Sequence, residues 1–166
     1  MTGKEILKKA IKTYGEEAQM RQCMEECAEL LEAILQARAV NADTEGAVLE
    51  EEVDVSLTTT QVAMILGKEI EEANLPMLKV VEVEEIEIIL AIYLAKLIKK
   101  INKWFRYGAT RVIVEEIMTC ISFIQAAIEL RNMKNAETRE LSEKFNKKTI
   151  EKLKRLKDRL EVGSVE

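Results

Sequence analysis

Two acidic clusters hold the residues of this sequence that are best suited to chemistry. The first lies in residues 20–34, MRQCMEECAELLEAI, and includes Glu26 and Glu29. The second lies in the stretch LEEEVDV and includes Glu51 and Asp54. Carboxylates that share a cleft repel each other and resist the loss of water, and a bound cation relieves both costs. The two clusters therefore predict a metal site between two elements.

The spacing of these acids places each pair on one helix face. Glu26 and Glu29 are three residues apart, as are Glu51 and Asp54, and side chains at this spacing share a face. The other residues around Glu51 and Asp54 are apolar on nearly all sides, which is typical of a central helix. We therefore expect Glu51 and Asp54 to face protein. For Glu25 we favour a solvated helix face, because glutamate is common there, and the same holds for Glu32.

The sequence contains no histidine, and this limits the kinds of metal site and catalytic site that it can form. It excludes the Glu-x-x-His sites of di-iron bundles, the His-bearing zinc sites, and the Ser-His and Cys-His nucleophile pairs. A metal must then bind through oxygen ligands, which indicates Mg²⁺, Mn²⁺ or Ca²⁺. The three cysteines are an odd number, and reduced thiols in a cytoplasmic protein are the simplest interpretation.

Composition predicts one all-α domain over residues 1–166. The chain is 48% apolar and 33% charged, and it has only one proline and six glycines, so the residues that typically form turns between strands are scarce. A net charge of −5 disfavours nucleic acid as a partner. The most apolar run, residues 88–95, is far shorter than the roughly 20 residues of a membrane span, so we expect no membrane.

Apolar periodicity predicts a bundle of five to six helices that position the two clusters. Their expected bounds are residues 3–13, 16–39, 45–66, 78–107, 110–133 and 136–160. Gly15 and Gly108 are the expected stops of the first and fourth helices, and Asp43 or Thr44 can cap the third. The fourth helix is long enough to kink, the sixth ends in the basic segment KTIEKLKRLKDRL, and the tail EVGSVE is expected to fray.

A faint internal repeat divides the chain. AVLEEEVDV at residues 47–55 resembles VIVEEIMTC at residues 112–120. The corresponding positions are Glu26 and Tyr93, Glu29 and Lys96, Glu51 and Glu116, and Asp54 and Thr119. We therefore expect a metal-binding half over residues 1–70 and a second half over residues 78–160 that has kept the helices and lost the acids.

The acidic motifs resemble those of a known family. YGEEAQMRQCMEECAELLEAI looks like the opening of the MazG-like members of the all-α NTP pyrophosphatase superfamily, which includes the dimeric dUTPases. The family signature is Glu-x-x-Glu followed on the next helix by Glu-x-x-Asp, and EEEVDVSLTTTQVAMI matches it through Gln61. KLKRLKDRL resembles the basic helix that closes many members. The family's lysine, arginine, aromatic and glycine signature occurs here in the second half, and the first half lacks it.

The resemblance implies Mg²⁺-dependent hydrolysis of a nucleoside triphosphate to the monophosphate and pyrophosphate, in a homodimer or higher homo-oligomer. The implied metal ligands are Glu26, Glu29, Glu51 and Asp54, and Glu26 is also the candidate catalytic residue that orients or deprotonates the water. Gln19 and Gln61 are candidates for base or sugar contacts, with interhelical hydrogen bonds as the alternative. Lys103 and Arg106 are candidates for phosphate contacts, with ordinary surface cations as the alternative, and Lys147 and Lys148 are more distant candidates.

Two other functions fit the same residues. A non-catalytic helical interaction protein would keep the acids as a relic, and Mg²⁺ would then give no stabilisation. An enzyme acting on another pyrophosphate, such as a nucleotide alarmone, would use the same site.

Overall fold

The computed structural model describes residues 1–40, 45–71, 73, 82–134 and 138–162. Within these ranges the elements are six helices: α1 (Gly3–Tyr14), α2 (Glu16–Val40), α3 (Glu45–Ile65), α4 (Val83–Tyr107), α5 (Arg111–Lys134) and α6 (Thr138–Val162). The predicted all-α fold is confirmed. Residues 78–81, Asp43, Thr44 and the end of the tail lie outside the described residues, so the predictions for them stay predictions. The predicted single helix over residues 78–107 is wrong at its start, because Glu82 is an extended N-cap and α4 begins at Val83.

The helix ends follow the local chemistry of the sequence. Thr2 forms a capping box with Glu5 at the start of α1. Gly15 and Gly108 end α1 and α4 with φ of 90° and 75°, values that side chains other than glycine rarely adopt. Their N–H groups donate to the carbonyls of Ile11 and Trp104. Both glycine stops are therefore confirmed.

The helices pack as two hairpins joined side by side. α2 packs mainly on α3, α4 packs mainly on α5, and α2 lies against α4. α6 returns along α1, α3 and α5 and so closes one side of the bundle. The division into a metal-binding half and a second half, and descent from one duplicated unit, stay predictions. The core is aliphatic, with three buried free cysteines, and none of the described helices is long and apolar enough to cross a membrane.

A buried ion network ties the two hairpins together. The Arg131 guanidinium on α5 donates to Glu52 of α3 at 3.1 Å and to Glu87 of α4 at 3.0 Å. Asn132 also donates to Glu52, at 3.1 Å, and Arg38 of α2 lies 3.3 Å from Glu87. Glu52 and Arg131 are 0% and 1% exposed. Glu52 thus belongs to the core, although it stands next to Glu51 in the acidic run.

Candidate metal centre

Three of the four predicted carboxylates come together between α2 and α3. Glu26, Glu51 and Asp54 each offer one oxygen, and these three oxygens lie within 4.8 Å of one another. All three residues are half-buried. Oxygen ligands on opposite sides of an octahedral Mg²⁺ lie about 4 Å apart, so small side-chain adjustments would let one ion contact all three.

Glu29 lies at the edge of this group. It is one turn beyond Glu26 on α2 and is exposed. Its oxygens are not among the three that converge. Its charge nevertheless raises the pKa of both Glu26 and Glu51, so it lies close enough to act on the site.

The carboxylates of the site are held in an unfavourable environment. Burial, together with the charges of Asp54, Glu29 and Glu51, raises the pKa of Glu26 to about 7, although a hydrogen bond from Gln22 opposes the shift. Burial and the neighbouring Asp54 and Glu29 also raise the pKa of Glu51. Repulsion of this kind is what a divalent cation would relieve.

One oxygen of Glu51 supports the fit of a metal. Glu51 Oε2 is buried and has no hydrogen-bond partner among the described residues. A buried carboxylate oxygen without a donor is costly, and a cation would supply the missing partner. An all-oxygen donor set also suits Mg²⁺ or Mn²⁺. The residues present therefore fit the metal that the sequence predicts.

Two lysines of α6 lie on the α3 side of this group. Lys152 forms an ion pair with Asp54, and its Nζ lies 3.7 Å from Glu50 Oε1. Lys148 Nζ lies 3.2 Å from Glu50 Oε2. Sequence reasoning named Lys148 as a distant candidate and missed Lys152. The available signal was the spacing of four residues, which puts both lysines on one face of the basic helix.

Gln19 and Gln61 are both buried, with exposed fractions of 8% and 3%. Gln61 Nε2 has no hydrogen-bond partner in the described part of the chain. Among the described residues, one amide donor of α3 is thus left without a partner, while a nucleotide contact by either side chain stays a prediction.

The predicted phosphate contacts of α4 lie with the second half. Lys103 is half-buried, and its positive charge adds to the larger effect of Lys100 in lowering the pKa of Glu116. Arg106 is exposed. Lys100 forms an ion pair with Glu116, the counterpart of Glu51 in the repeat. In the second half, a lysine therefore neutralises the counterpart of Glu51. A contact from Lys103 or Arg106 to a bound nucleotide stays a prediction.

Comparison of the chain with protein-family models, with curated proteins and with solved structures gave no match. Function must therefore be argued from the site and its motifs.

Proposed function

We propose that this protein is a Mg²⁺-dependent nucleoside triphosphate pyrophosphohydrolase that converts an NTP or dNTP to the monophosphate and pyrophosphate. The observation that carries the proposal is the convergence of Glu26, Glu51 and Asp54 from two facing helices. The buried, unpartnered oxygen of Glu51 adds support. The reaction class comes from the resemblance of the two acidic motifs to those of MazG-like enzymes.

The residues of the site suit phosphoryl chemistry. Mg²⁺, when bound, neutralises phosphate charge and activates a water. Glu51 and Asp54 would hold the ion, and Glu29 stands at the edge of the site to add a further ligand. Glu26, whose pKa is raised by burial and by the neighbouring carboxylates, would accept the proton of the attacking water. The water oxygen bonds to phosphorus, and the bond between the α- and β-phosphoryl groups breaks.

The lysines of α6 would neutralise the leaving group. A triphosphate brings about four negative charges to a site that already holds acids, and fixed cations stabilise the charge that shifts during transfer. Lys152 forms an ion pair with Asp54. A phosphate oxygen would replace that carboxylate as its partner, with Lys148 one turn away.

The experiment is a screen of common NTPs and dNTPs, and of pyrophosphorylated nucleotides, with Mg²⁺ and detection of pyrophosphate. We expect turnover of at least one nucleoside triphosphate. Asp54→Asn should abolish it, because the metal loses a ligand. Glu116→Gln, at the corresponding position of the helix hairpin α4–α5, should leave it unchanged. Loss of turnover in Glu116→Gln would show that the second half carries the chemistry.

A second candidate is a non-catalytic helical interaction protein. The Lys152–Asp54 ion pair favours it, because a lysine already neutralises part of the acidic group, as Lys100 does for Glu116. Thermal unfolding separates the two functions. A ligand that binds only the folded state raises its stability by about 2.7 kcal/mol at 100 times the dissociation constant. Millimolar Mg²⁺ that leaves the melting temperature unchanged, with no pyrophosphate released, would favour the interaction protein.

A further inference from the structure

A cleft of about 1080 Å³ lies between α3, α5 and α6. Leu57 on α3, Leu130 on α5 and Phe145 on α6 give it apolar walls. Pockets for small organic ligands typically measure about 300–1,000 Å³, so the cleft is large enough for one. Thr60, which also lines it, stands nine positions after Glu51 and so lies about 180° away from it around α3. The cleft is therefore on the side of α3 opposite to Glu51 of the candidate metal centre.

The charged side chains of the cleft are acidic. Glu71, which follows α3, and Glu129 on α5 line it, and both are exposed. The described residues of the lining include no lysine and no arginine. An anionic ligand, such as a phosphate or a carboxylate, would meet like charges without a cation to offset them. The charge of the cleft thus favours a cationic ligand and separates it from the proposed nucleotide site.

Three neutral polar side chains of the cleft use their donors within the protein. Thr60 Oγ1 donates to the Ser56 carbonyl at 2.7 Å, and Thr149 Oγ1 donates to the carbonyl four residues before it at 2.9 Å. Gln125 Nε2 donates to the Ser56 carbonyl at 3.2 Å and to Thr59 Oγ1 at 2.7 Å. A hydroxyl group has one hydrogen to donate and a side-chain amide has two. Thr60, Thr149 and Gln125 can therefore only accept hydrogen bonds from a ligand.

Asn132 also lines the cleft, and its amide has an acceptor without a partner. Its Nδ2 donates to Glu52 Oε2 at 3.1 Å and to the Ile128 carbonyl at 2.9 Å. These two acceptors fix the orientation of the amide, because a flipped amide would turn its oxygen toward them. Asn132 is 7% exposed, and its Oδ1 is buried with no hydrogen-bond partner in the described part of the chain. A buried acceptor without a donor is costly, so a ligand that brings a donor to this wall is favoured.

We propose that this cleft binds a small organic amine, in which a protonated primary amino group is carried on a hydrocarbon body. An ammonium group has three N–H donors and no acceptor, which matches a cleft of carboxylates and spare acceptors. Glu71 and Glu129 attract its charge, and its hydrocarbon body packs on Leu57, Leu130 and Phe145. This proposal does not depend on the proposed function, because the cleft and Glu51 lie on different sides of α3.

The first test compares ligands of similar shape and different charge by isothermal titration calorimetry with the full chain. Phenethylamine is the cation, 2-phenylethanol is its neutral counterpart and phenylacetate is its anionic counterpart. We expect phenethylamine to bind one per chain with a Kd below about 1 mM, and the other two to bind at least about 10-fold more weakly. Phenylacetate that binds as tightly as phenethylamine would overturn the proposal. It would also be overturned if phenethylamine, hexylamine and spermidine all fail to bind at about 10 mM.

The second test locates the bound amine with variants that keep the shape of the side chains. Glu71→Gln with Glu129→Gln should weaken phenethylamine binding at least about 10-fold, because the cleft loses its negative charge. Both positions are exposed, so the helical circular dichroism and melting should stay close to wild type. Glu16→Gln with Glu17→Gln is the matched control, because it removes the same charge from exposed positions of α2 that do not line the cleft.

The candidate metal centre is the other acidic site to which an amine could bind. Asp54→Asn should therefore bind phenethylamine as the wild-type protein does. In nuclear magnetic resonance spectra, the amine should shift the side-chain amide signals of Gln125 and Asn132, and those of Gln19 should stay in place. Unaltered affinity in the variant that combines Glu71→Gln and Glu129→Gln, or loss of binding in Asp54→Asn, would overturn the cleft as the binding site.

Discussion

Glu26 is a half-buried carboxyl group that its surroundings keep from ionising until about pH 7. Its pKa in the folded chain lies above the usual value of 4.5, so the folded state holds the proton more tightly than the unfolded state does. As the pH rises from about 4.5 to 7, the unfolded chain loses the proton first, and the free energy of unfolding falls. Above about pH 7 both states are ionised and the penalty stays constant.

We therefore predict that metal-free wild-type protein loses stability relative to Glu26→Gln between pH 5 and 7.5. The expected change is roughly 1–2 kcal/mol, after allowance for solvent screening of a half-exposed group. Urea unfolding of both proteins in a chelator measures it. The difference between the proteins isolates Glu26 from groups that titrate in both.

Mg²⁺ provides the control for this pH dependence. A bound cation stabilises the ionised carboxylate, so millimolar Mg²⁺ should reduce the fall in stability of the wild-type protein. Parallel curves for wild type and Glu26→Gln in the chelator would mean that Glu26 ionises normally in the folded chain.

At the scale of elements, α6 and α4 are the two candidates for the helix that binds the phosphates. Lys152 of α6 already contacts Asp54, whereas Lys103 of α4 acts on Glu116. We predict that Lys152→Ala lowers kcat/KM by an amount that corresponds to a loss of roughly 2–4 kcal/mol of transition-state stabilisation, by analogy with the loss of one oxyanion donor. Steady-state kinetics of Lys152→Ala, Lys103→Ala and Arg106→Ala, each checked for folding, decide between the helices.

Each result has a clear meaning for these elements. A large loss in Lys152→Ala alone identifies α6 as the helix that contacts the phosphates. A large loss in Lys103→Ala or Arg106→Ala would bear out the role predicted from the sequence. Normal turnover in all three variants would leave these lysines and the arginine as ordinary surface or structural cations.

The buried network of Glu52, Glu87 and Arg131 joins three helices. Removal of one partner from a buried ion pair leaves charge without compensation and typically costs 3–5 kcal/mol. We predict that Arg131→Met destabilises the chain by about 3 kcal/mol or more, measured by urea unfolding. Arg111→Met is the matched control, because its pair with Glu115 is exposed and should contribute nothing measurable. A loss in Arg131→Met no larger than in Arg111→Met would contradict the prediction.

At the scale of the whole molecule, the family resemblance predicts a homodimer or higher homo-oligomer. If neighbouring copies complete the site, the specific activity should fall when the protein is diluted until it dissociates, as followed by light scattering. Activity that does not depend on concentration, in a chain shown to dissociate, would mean that each copy holds a complete site.

The sequence by itself determined the features that depend on near neighbours. The bounds of α1, α2, α3, α5 and α6 agree with the apolar periodicity within two residues, because helix formation and capping are set within a few turns. The convergence of Glu26 with Glu51 and Asp54 followed from two helices consecutive in the chain, which usually pack together. Local spacing then determined which side chains could meet.

Only the tertiary structure decided which distant residues meet. Lys152 pairs with Asp54 across 98 residues, and Arg131 pairs with Glu52 across 79. Neither pairing is encoded in periodicity, since each depends on the path by which α5 and α6 return over α3. The same packing gives two adjacent acids different surroundings, since Glu51 lies in the candidate metal centre and Glu52 lies in the core. The reason is that consecutive positions on a helix point in directions 100° apart. The sequence limits the residues that can do chemistry, and the packing of the helices selects their partners.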